Sequence, residues 1–483
     1  MEQLQKQECV GRVRERAIFD SAMRSSEAEM IAVTGRRRVG KTFLIRSHFE
    51  EQFDFELTGL LDGTIEGQLG NFSRQLGKAS PSGIPTVVPG SWLEAFAQLA
   101  AHLDAMKSRR KKVIFLDELP WLATPKSRFL EALGYFWNSW ASKKRVVVVL
   151  CGSAATWMLK KVVHNKGGLH NRITRQIRLE PFNLHETQLY LQSRKMKLEH
   201  YQTIQLYMVT GGIPHYLKEV QPGQSAAQNI DRMCFEPQGF LKDEFPKLYA
   251  SLFDNPENHV KIIRELAQHR RGLTRKEIVS ESGLQDGGRV STLLEELESS
   301  GFISSYRPFG KRKKETLYRL TDEYSLFYLK FMEGSKASGP GAWLQLSQSQ
   351  SWKAWAGYAF ENICLKHVPQ IKAALGIQGV YAEVSSFYFK GGADRPGMQV
   401  DLLIDRKDQV INLCELKFYE GPFTVTRAYA QELRERVTSF RELSRTRKQV
   451  VLTMVTSFGV RANEQSIGLV QAEVEMQALF AAS

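Results

Sequence analysis

Apolar positions along this chain change their spacing several times, and each change marks a boundary. Three early runs are uninterrupted: Met30-Ile31-Ala32-Val33, Val113-Ile114-Phe115-Leu116 and Val146-Val147-Val148-Val149-Leu150. Runs of this length without polar alternation predict strands buried on both faces, as in parallel sheets covered by helices. From about Asn255 the spacing becomes that of short amphipathic helices, over 260–269, 274–282 and 287–300, followed by short strands over 302–306 and 317–320. The stretch from Gly334 to Gly341 is small, polar and helix-breaking, and reads as a linker. Beyond it the pattern predicts a helix over 352–368, strands over 400–405 and 410–418, a helix over 429–439 and a further strand over 450–456. The expected fold class is α/β and multidomain.

Composition narrows this reading. At 483 residues and 42% hydrophobic, the chain exceeds one compact core and is expected to form about three domains. Its longest apolar stretches fall far short of the roughly 20 residues that span a bilayer, so no membrane partner and no secretory segment is expected. Five cysteines are scattered and lack metal-ligand spacing, which points to a reduced cytoplasm. A formal net charge of +14 favours polyanionic partners without saying which.

The first chemical signal follows the first apolar run. Gly35-Arg36-Arg37-Arg38-Val39-Gly40-Lys41-Thr42 fits GxxxxGK(S/T) at every fixed position and lies between a buried strand and a helix starting Thr42-Phe43-Leu44-Ile45. Gly35 and Gly40 let the backbone curl so that its N–H groups face phosphate oxygens, with the positive end of the helix behind them. Lys41 is placed to reach the β and γ phosphates, and Thr42 to offer a hydroxyl to Mg²⁺. The nucleotide-binding set is Gly35, Arg36, Arg37, Arg38, Val39, Gly40, Lys41, Thr42 and Phe43. A second anchor for the metal is expected at the end of another strand, and Lys112-Val113-Ile114-Phe115-Leu116-Asp117-Glu118 supplies it. Asp117 is the expected Mg²⁺ partner and Glu118 the residue that polarises the attacking water, which favours hydrolysis over mere binding. The third strand ends in Cys151-Gly152-Ser153, where Ser153 could sense the γ-phosphate.

Three further segments extend this pattern: Val10-Gly11-Arg12 before the first strand, Asn171-Arg172-Ile173-Thr174-Arg175 after the third, and Gly211-Gly212-Ile213-Pro214. Together with the loop they resemble the AAA-like ATPases widespread in archaea and bacteria, relatives of the STAND and origin-recognition ATPases. The resemblance implies a P-loop parallel-sheet core over 1–180 and a helical lid over 181–254. It places Val10, Gly11 and Arg12 near the adenine, Pro214 against the base, and Arg172 or Arg175 on the γ-phosphate, in cis or from a neighbouring subunit of a homo-oligomer. An arginine finger is worth roughly 10³ to 10⁵ in rate. Here His170-Asn171-Arg172 replaces the family's tyrosine-glycine-arginine, which leaves the choice between the two arginines open.

Helix, helix, helix and hairpin over 255–333 is the order of a winged helix, with Arg307-Pro308-Phe309-Gly310-Lys311-Arg312-Lys313-Lys314 as the wing. Its basic tip suits backbone phosphates. The helix that would read bases, Leu293-Leu294-Glu295-Glu296-Leu297-Glu298, is more acidic than basic. Sequence-specific recognition is therefore disfavoured against loose backbone contact or an architectural role.

After the linker, taken as 334–345, the segment 346–483 carries a second candidate site. Asp401 lies near the start of one predicted strand, while Glu415 and Lys417, two apart, share a face of the next. Two carboxylates brought together call for a cation, and Mg²⁺ or Mn²⁺ held by Asp401 and Glu415 would serve, with Lys417 orienting the attacking water. Ala359-Phe360-Glu361 on the preceding helix, Val400-Asp401-Leu402-Leu403-Ile404 and Cys414-Glu415-Leu416-Lys417-Phe418 resemble the PD-(D/E)XK nuclease superfamily, in the form of the C-terminal domain that commonly follows this ATPase class. By that resemblance Glu361 joins the site; Val400 stands where a proline is usual. The resemblance extends from Val10 to about Phe440.

The function expected is an ATP- and Mg²⁺-dependent ATPase whose nucleotide state controls a metal-dependent nuclease in the same chain, acting on nucleic acid, with DNA favoured over RNA. The competing expectation is an ATP-gated switch whose nuclease-like domain is silent and binds nucleic acid or protein. A DNA-translocating motor is less favoured, since the chain shows one P-loop.

Overall fold

The structure is a computed structural model that describes residues 9–50, 52–80, 87–107, 110–164, 167–253, 255–335, 339–392 and 396–482. The chain divides into two compact units, Met1–Glu180 with Ser299–Gly301, and Pro181–Glu298 with Phe302–Ser483.

The first unit is built on five parallel strands: β1 (Glu29–Thr34), β2 (Phe55–Thr58), β3 (Lys112–Asp117), β4 (Val146–Cys151) and β5 (Arg175–Arg178), in the order β2-β3-β4-β1-β5. β1 and β4 are neighbours and are buried at every residue, as their continuous apolar runs predict. β2 and β5 are additions to the expected set; each has only four residues, and in FELT and RQIR buried and less buried positions alternate. Because all five strands run the same way, the residues that end β1, β3 and β4 arrive at one edge of the sheet. Beneath it Phe72, Trp92, Phe96, Phe129 and Phe136 interlock, with Trp92 and Phe129 edge to face at 4.8 Å between centroids. This aromatic layer fixes one helical face against the sheet, and truncating any of these rings typically costs about 3–5 kcal/mol.

The second unit gathers the segment after residue 180 around a different aromatic cluster. Trp343 is buried among Phe235, Phe327, Phe331 and Trp352, with centroids 4.9–5.6 Å away. The Gly341 and Trp343 N–H groups each donate to the Asp231 carboxylate at 2.6 Å. The stretch expected to be a linker is therefore clamped at Gly341 and Trp343; its residues 336–338 lie outside the described residues. Burial of one large indole outweighs the local helix-breaking composition.

Within this unit, helices Glu257–Gln268, Arg275–Ser282 and Gly288–Ser299 accompany an antiparallel sheet of β6 (Leu273–Thr274), β7 (Ile303–Tyr306) and β8 (Leu317–Leu320), in the order β6-β8-β7. The C-terminal part begins with the helix Gln350–Lys366. It continues as a mixed sheet of β9 (Ala382–Phe389), β10 (Met398–Arg406), β11 (Val410–Lys417), β12 (Gln449–Thr456) and β13 (Ala472–Glu475), in the order β13-β12-β11-β10-β9. β10 and β11 are antiparallel with Leu402 opposite Cys414, whereas β11 and β12 are parallel. Leu433 and Phe440 of the helix Arg427–Ser444 pack on Leu403, Ile411, Leu413 and Leu452.

His367 ties the C-terminal part to the segment that follows residue 180. Its Nδ1 lies 2.7 Å from the Ile363 carbonyl, and its Nε2 accepts from the Leu184 N–H at 3.0 Å. That arrangement requires a neutral ring, and burial pulls the pKa of His367 down to about 4 from the ordinary 6.5. Between those values the unfolded chain holds a proton that the folded chain lacks, so the stability is fully present above pH 6.5 and is lost as pH falls towards 4. The loss is on the order of 3 kcal/mol. Urea unfolding followed from pH 7 to pH 4 is expected to show it, and His367→Gln to flatten that part of the profile.

Candidate functional site

The loop after β1 has the backbone its composition anticipates. Gly35 has φ 142°, and a Cβ there would lie 2.3 Å from the Leu179 carbonyl oxygen, so no other residue fits. Gly40 has φ 92° and leads directly into the helix Lys41–His48. Lys41 is only 6% exposed, and its Nζ donates to the carbonyls of Gly35 and Arg36, each at 2.9 Å. Burial lowers its pKa, while Glu118 and Asp117 pull the other way. An ammonium parked on its own loop's carbonyls gains by transferring to phosphate oxygens. Arg36 and Val39 are buried, Arg38 is half-buried, and Arg37 and Phe43 face outward.

Across the sheet edge, the Thr42 hydroxyl donates to Asp117 Oδ2 at 2.9 Å. These are a hydroxyl and a carboxylate in contact at the mouth of an anion-binding loop, which is the donor chemistry that suits Mg²⁺. Glu118 follows Asp117 in a left-handed conformation with φ 47°, an uncommon backbone for a non-glycine residue at a strand end. Its carboxylate is held by Ser153, whose hydroxyl and N–H donate to Oε2 at 2.9 and 3.3 Å. Lys41, Thr42, Asp117, Glu118 and Ser153 thus converge on one edge. Arg12 is also buried and left-handed, and its Nη2 donates to the Val39 carbonyl at 3.5 Å, so the Val10-Gly11-Arg12 segment reaches the loop.

The two candidate arginines do not join this group. Arg175 opens β5, pairing with Ile31, and its Nη2 sits 3.0 Å from Glu29 Oε1 at the start of β1. The extended length of β1 puts that point about 16 Å from the loop. Arg172 precedes it in an exposed turn. Arg178, which the sequence reading passed over, ends β5 opposite Thr34, the last residue before the loop. β5 is too short to announce itself in the apolar pattern, so nothing local drew attention to its final residue. Pro214 opens a short helix in the second unit, and the glycines before it are dictated by close approach: a Cβ on Gly212 would lie 2.1 Å from the Phe182 carbonyl oxygen.

The second candidate cluster lies in the C-terminal sheet. One step beyond the Leu402–Cys414 pair, the β10–β11 register sets Asp401 across from Glu415, and Lys417 follows on the same face. Glu415 is buried, and Lys417 Nζ lies 2.9 Å from its Oε1. The Tyr429 hydroxyl donates to Oε1 at 2.6 Å, and Arg436 pairs with Oε2. Burial alone would raise the pKa of Glu415, but Lys417, Arg436 and Tyr429 more than offset it and hold it below the usual carboxylate range. Asp401 accepts from Gln399 at 2.7 Å and faces Arg319 Nη2 of β8 at 3.6 Å. Glu361 is half-buried; burial and then the Asp401 charge raise its pKa, against the pull of Arg319 and Arg270. Among the described residues no three acidic, imidazole or thiol side chains gather to hold a metal ion. In this arrangement Asp401 and Glu415 do not fit the Mg²⁺ or Mn²⁺ expected of them, because basic side chains already balance their charge. Tyr429 and Arg436, on the helix that follows β11, and Arg319, on distant β8, were not legible as site residues, since packing and not local spacing brings them to the acids.

Residues 10–220 match the model of a family described as an ATPase domain predominantly from Archaea. The N-terminal part is thus similar to an ATPase domain, and its loop and parallel sheet have the fold of a P-loop ATPase. An uncharacterised protein of Methanocaldococcus jannaschii, MJECL04, is 20% identical over 388 residues, which cover 79% of this chain and 82% of that protein. Among solved structures, the Walker-type ATPase PABY2304 of Pyrococcus abyssi superposes with a TM-score of 0.50 at 16% identity, covering 67% of this chain and 96% of that one. The ORC2 protein of Aeropyrum pernix gives 0.39 at 15% identity over 66% and 92%. Among the described residues no helix is long and apolar enough to cross a membrane.

Two substitutions test the ATPase domain. Lys41→Ala, which removes the buried ammonium, is expected to lower ATP turnover on the order of 10²–10³-fold and to weaken nucleotide binding. Glu118→Gln keeps an acceptor for Ser153 but removes the carboxylate charge; if that carboxylate is the base, turnover should fall on the order of 10²–10⁴-fold while nucleotide affinity is retained. Phosphate release and fluorescent-nucleotide titration measure the two effects separately.

Proposed function

We propose that this protein is an Mg²⁺-dependent ATPase whose nucleotide state controls a C-terminal PD-(D/E)XK-type nuclease-like domain acting on DNA. Hydrolysis would proceed at the edge formed by β1, β3 and β4. Lys41 and the loop N–H groups bind the β and γ phosphates, Glu118 takes the proton of the attacking water, and Ser153 holds the Glu118 carboxylate in place. Thr42 and Asp117 are the residues that would hold Mg²⁺, which supplies charge neutralisation on the phosphates. With Arg175 held by Glu29 at the end of β1 away from the loop, the arginine on the γ-phosphate would be Arg172 or Arg178, or come from a neighbouring subunit.

One observation carries the nuclease-like assignment: the β10–β11 register sets Asp401 opposite Glu415 with Lys417 on the same face, beside a helix bearing Glu361. Chance occurrence of a D…ExK spacing would not require antiparallel pairing in that register. DNA as the partner is supported by the net charge of +14 and by the hairpin between β7 and β8, which we read as the wing of a winged helix. Lys311, Arg312, Lys313 and Lys314 are exposed there, while Phe309 is anchored by its N–H to the Ser386 carbonyl at 2.7 Å. The basic tip is thereby fixed beside β9.

A second reading is favoured by the ion pairs that balance Asp401 and Glu415. In it the C-terminal domain breaks no bond, and ATP switches a binding surface. Cleavage of duplex and single-stranded DNA with Mn²⁺ and ATP distinguishes the two. The nuclease reading expects cleavage by the wild type that is lost in Asp401→Ala and Lys417→Ala. Equal cleavage by all three, or none while ATP turnover persists, would retire it. Independently, replacing the four wing residues by glutamine should weaken DNA binding and reduce the salt slope by about 0.9 for each phosphate that the wing no longer neutralises.

A further inference from the structure

Arg319 is an anomaly in its strand. β8 is short and its other buried residues are Leu317 and Leu320, yet Arg319 is 3% exposed. Removing a guanidinium from water is unfavourable unless its charge and its donors are matched. Here they are matched from three sides. Its Nε donates to the Arg270 carbonyl at 2.8 Å, and its Nη2 lies 3.6 Å from Asp401 Oδ1 on β10. Its guanidinium carbon stands 5.4 Å from the ring centre of Tyr358, on the helix that carries Glu361 one turn later. The arginine thus belongs to the segment before residue 320, while the acid it faces, Asp401, belongs to the segment after 350.

We infer that Arg319 is a built-in counter-ion standing where a divalent cation would otherwise balance Asp401, so that the β8 segment keeps the C-terminal site metal-free. The inference rests on reading that site as nuclease-like, and it names its regulation. A guanidinium and a divalent cation are alternatives for the same carboxylates, because both together would overcompensate the charge and compete for the same oxygens.

The test is Mn²⁺ binding by the full chain without nucleotide, measured by calorimetry and by electron paramagnetic resonance of free Mn²⁺. Each variant is paired with its Asp401→Asn counterpart to isolate the site. Arg319→Gln is expected to tighten the Asp401-dependent binding at least about tenfold. Arg319→Lys keeps a buried cation but shortens its reach, and should give a smaller gain; it carries the comparison if thermal melts show that the glutamine variant does not fold. Equal Asp401-dependent binding by the wild type and by the folded variants overturns the counter-ion role while leaving a metal site in place. Absence of Asp401-dependent binding in every protein overturns both the role and the nuclease-like reading.

Discussion

A buried charge must find its opposite within a few ångströms, and Lys41 is the charge on which the first unit turns. With 6% of its surface exposed, its ammonium persists because two loop carbonyls accept from it and because Asp117 and Glu118 contribute a negative field. The parallel order of β1, β4 and β3 is what delivers those groups to one place, since parallel strands end together. Glycine at position 35 follows from the same constraint: the chain must pass under the Leu179 carbonyl to leave its own carbonyls facing the lysine. The loop, the Thr42–Asp117 pair and the Ser153–Glu118 pair meet because one sheet delivers them to one edge.

The second unit solves the same problem differently. Glu415 is balanced by Lys417 and Arg436, Asp401 by Arg319, and Glu323 by Lys366 at 2.6 Å. Every one of these pairs except Glu415–Lys417 joins elements remote in sequence. Buried pairs of this kind contribute little net stability, since desolvation cancels much of the attraction, but breaking one leaves an uncompensated charge. They therefore specify arrangement more than they add to stability. The consequence for function is that the C-terminal acids are held neutralised by protein groups, in contrast with the nucleotide loop, whose lysine is parked on weak acceptors and ready for a stronger one.

The aromatic cluster around Trp343 governs how the segments after residue 180 cohere. Asp231 fixes the backbone of Gly341 and Trp343, and the indole fills the space between helices that local composition would leave apart. A glycine- and serine-rich stretch is flexible only while nothing nearby rewards its ordering.

The residues by themselves determined whatever depends on near neighbours. GxxxxGK(S/T) after a buried run, Asp117-Glu118 at a strand end and the spacing of Glu415 and Lys417 are local patterns, legible because strand and turn geometry act over a few positions. The helix expected over 429–439 and the strand over 450–456 emerged as Arg427–Ser444 and Gln449–Thr456 for the same reason. Tertiary structure alone decided the partners. Arg175 reads as a phosphate sensor until Glu29 is found beside it, and Arg319 draws no notice until Asp401 is found beside it. Such pairings are set by sheet order and register across tens to hundreds of positions, and no local periodicity encodes which charge will meet which.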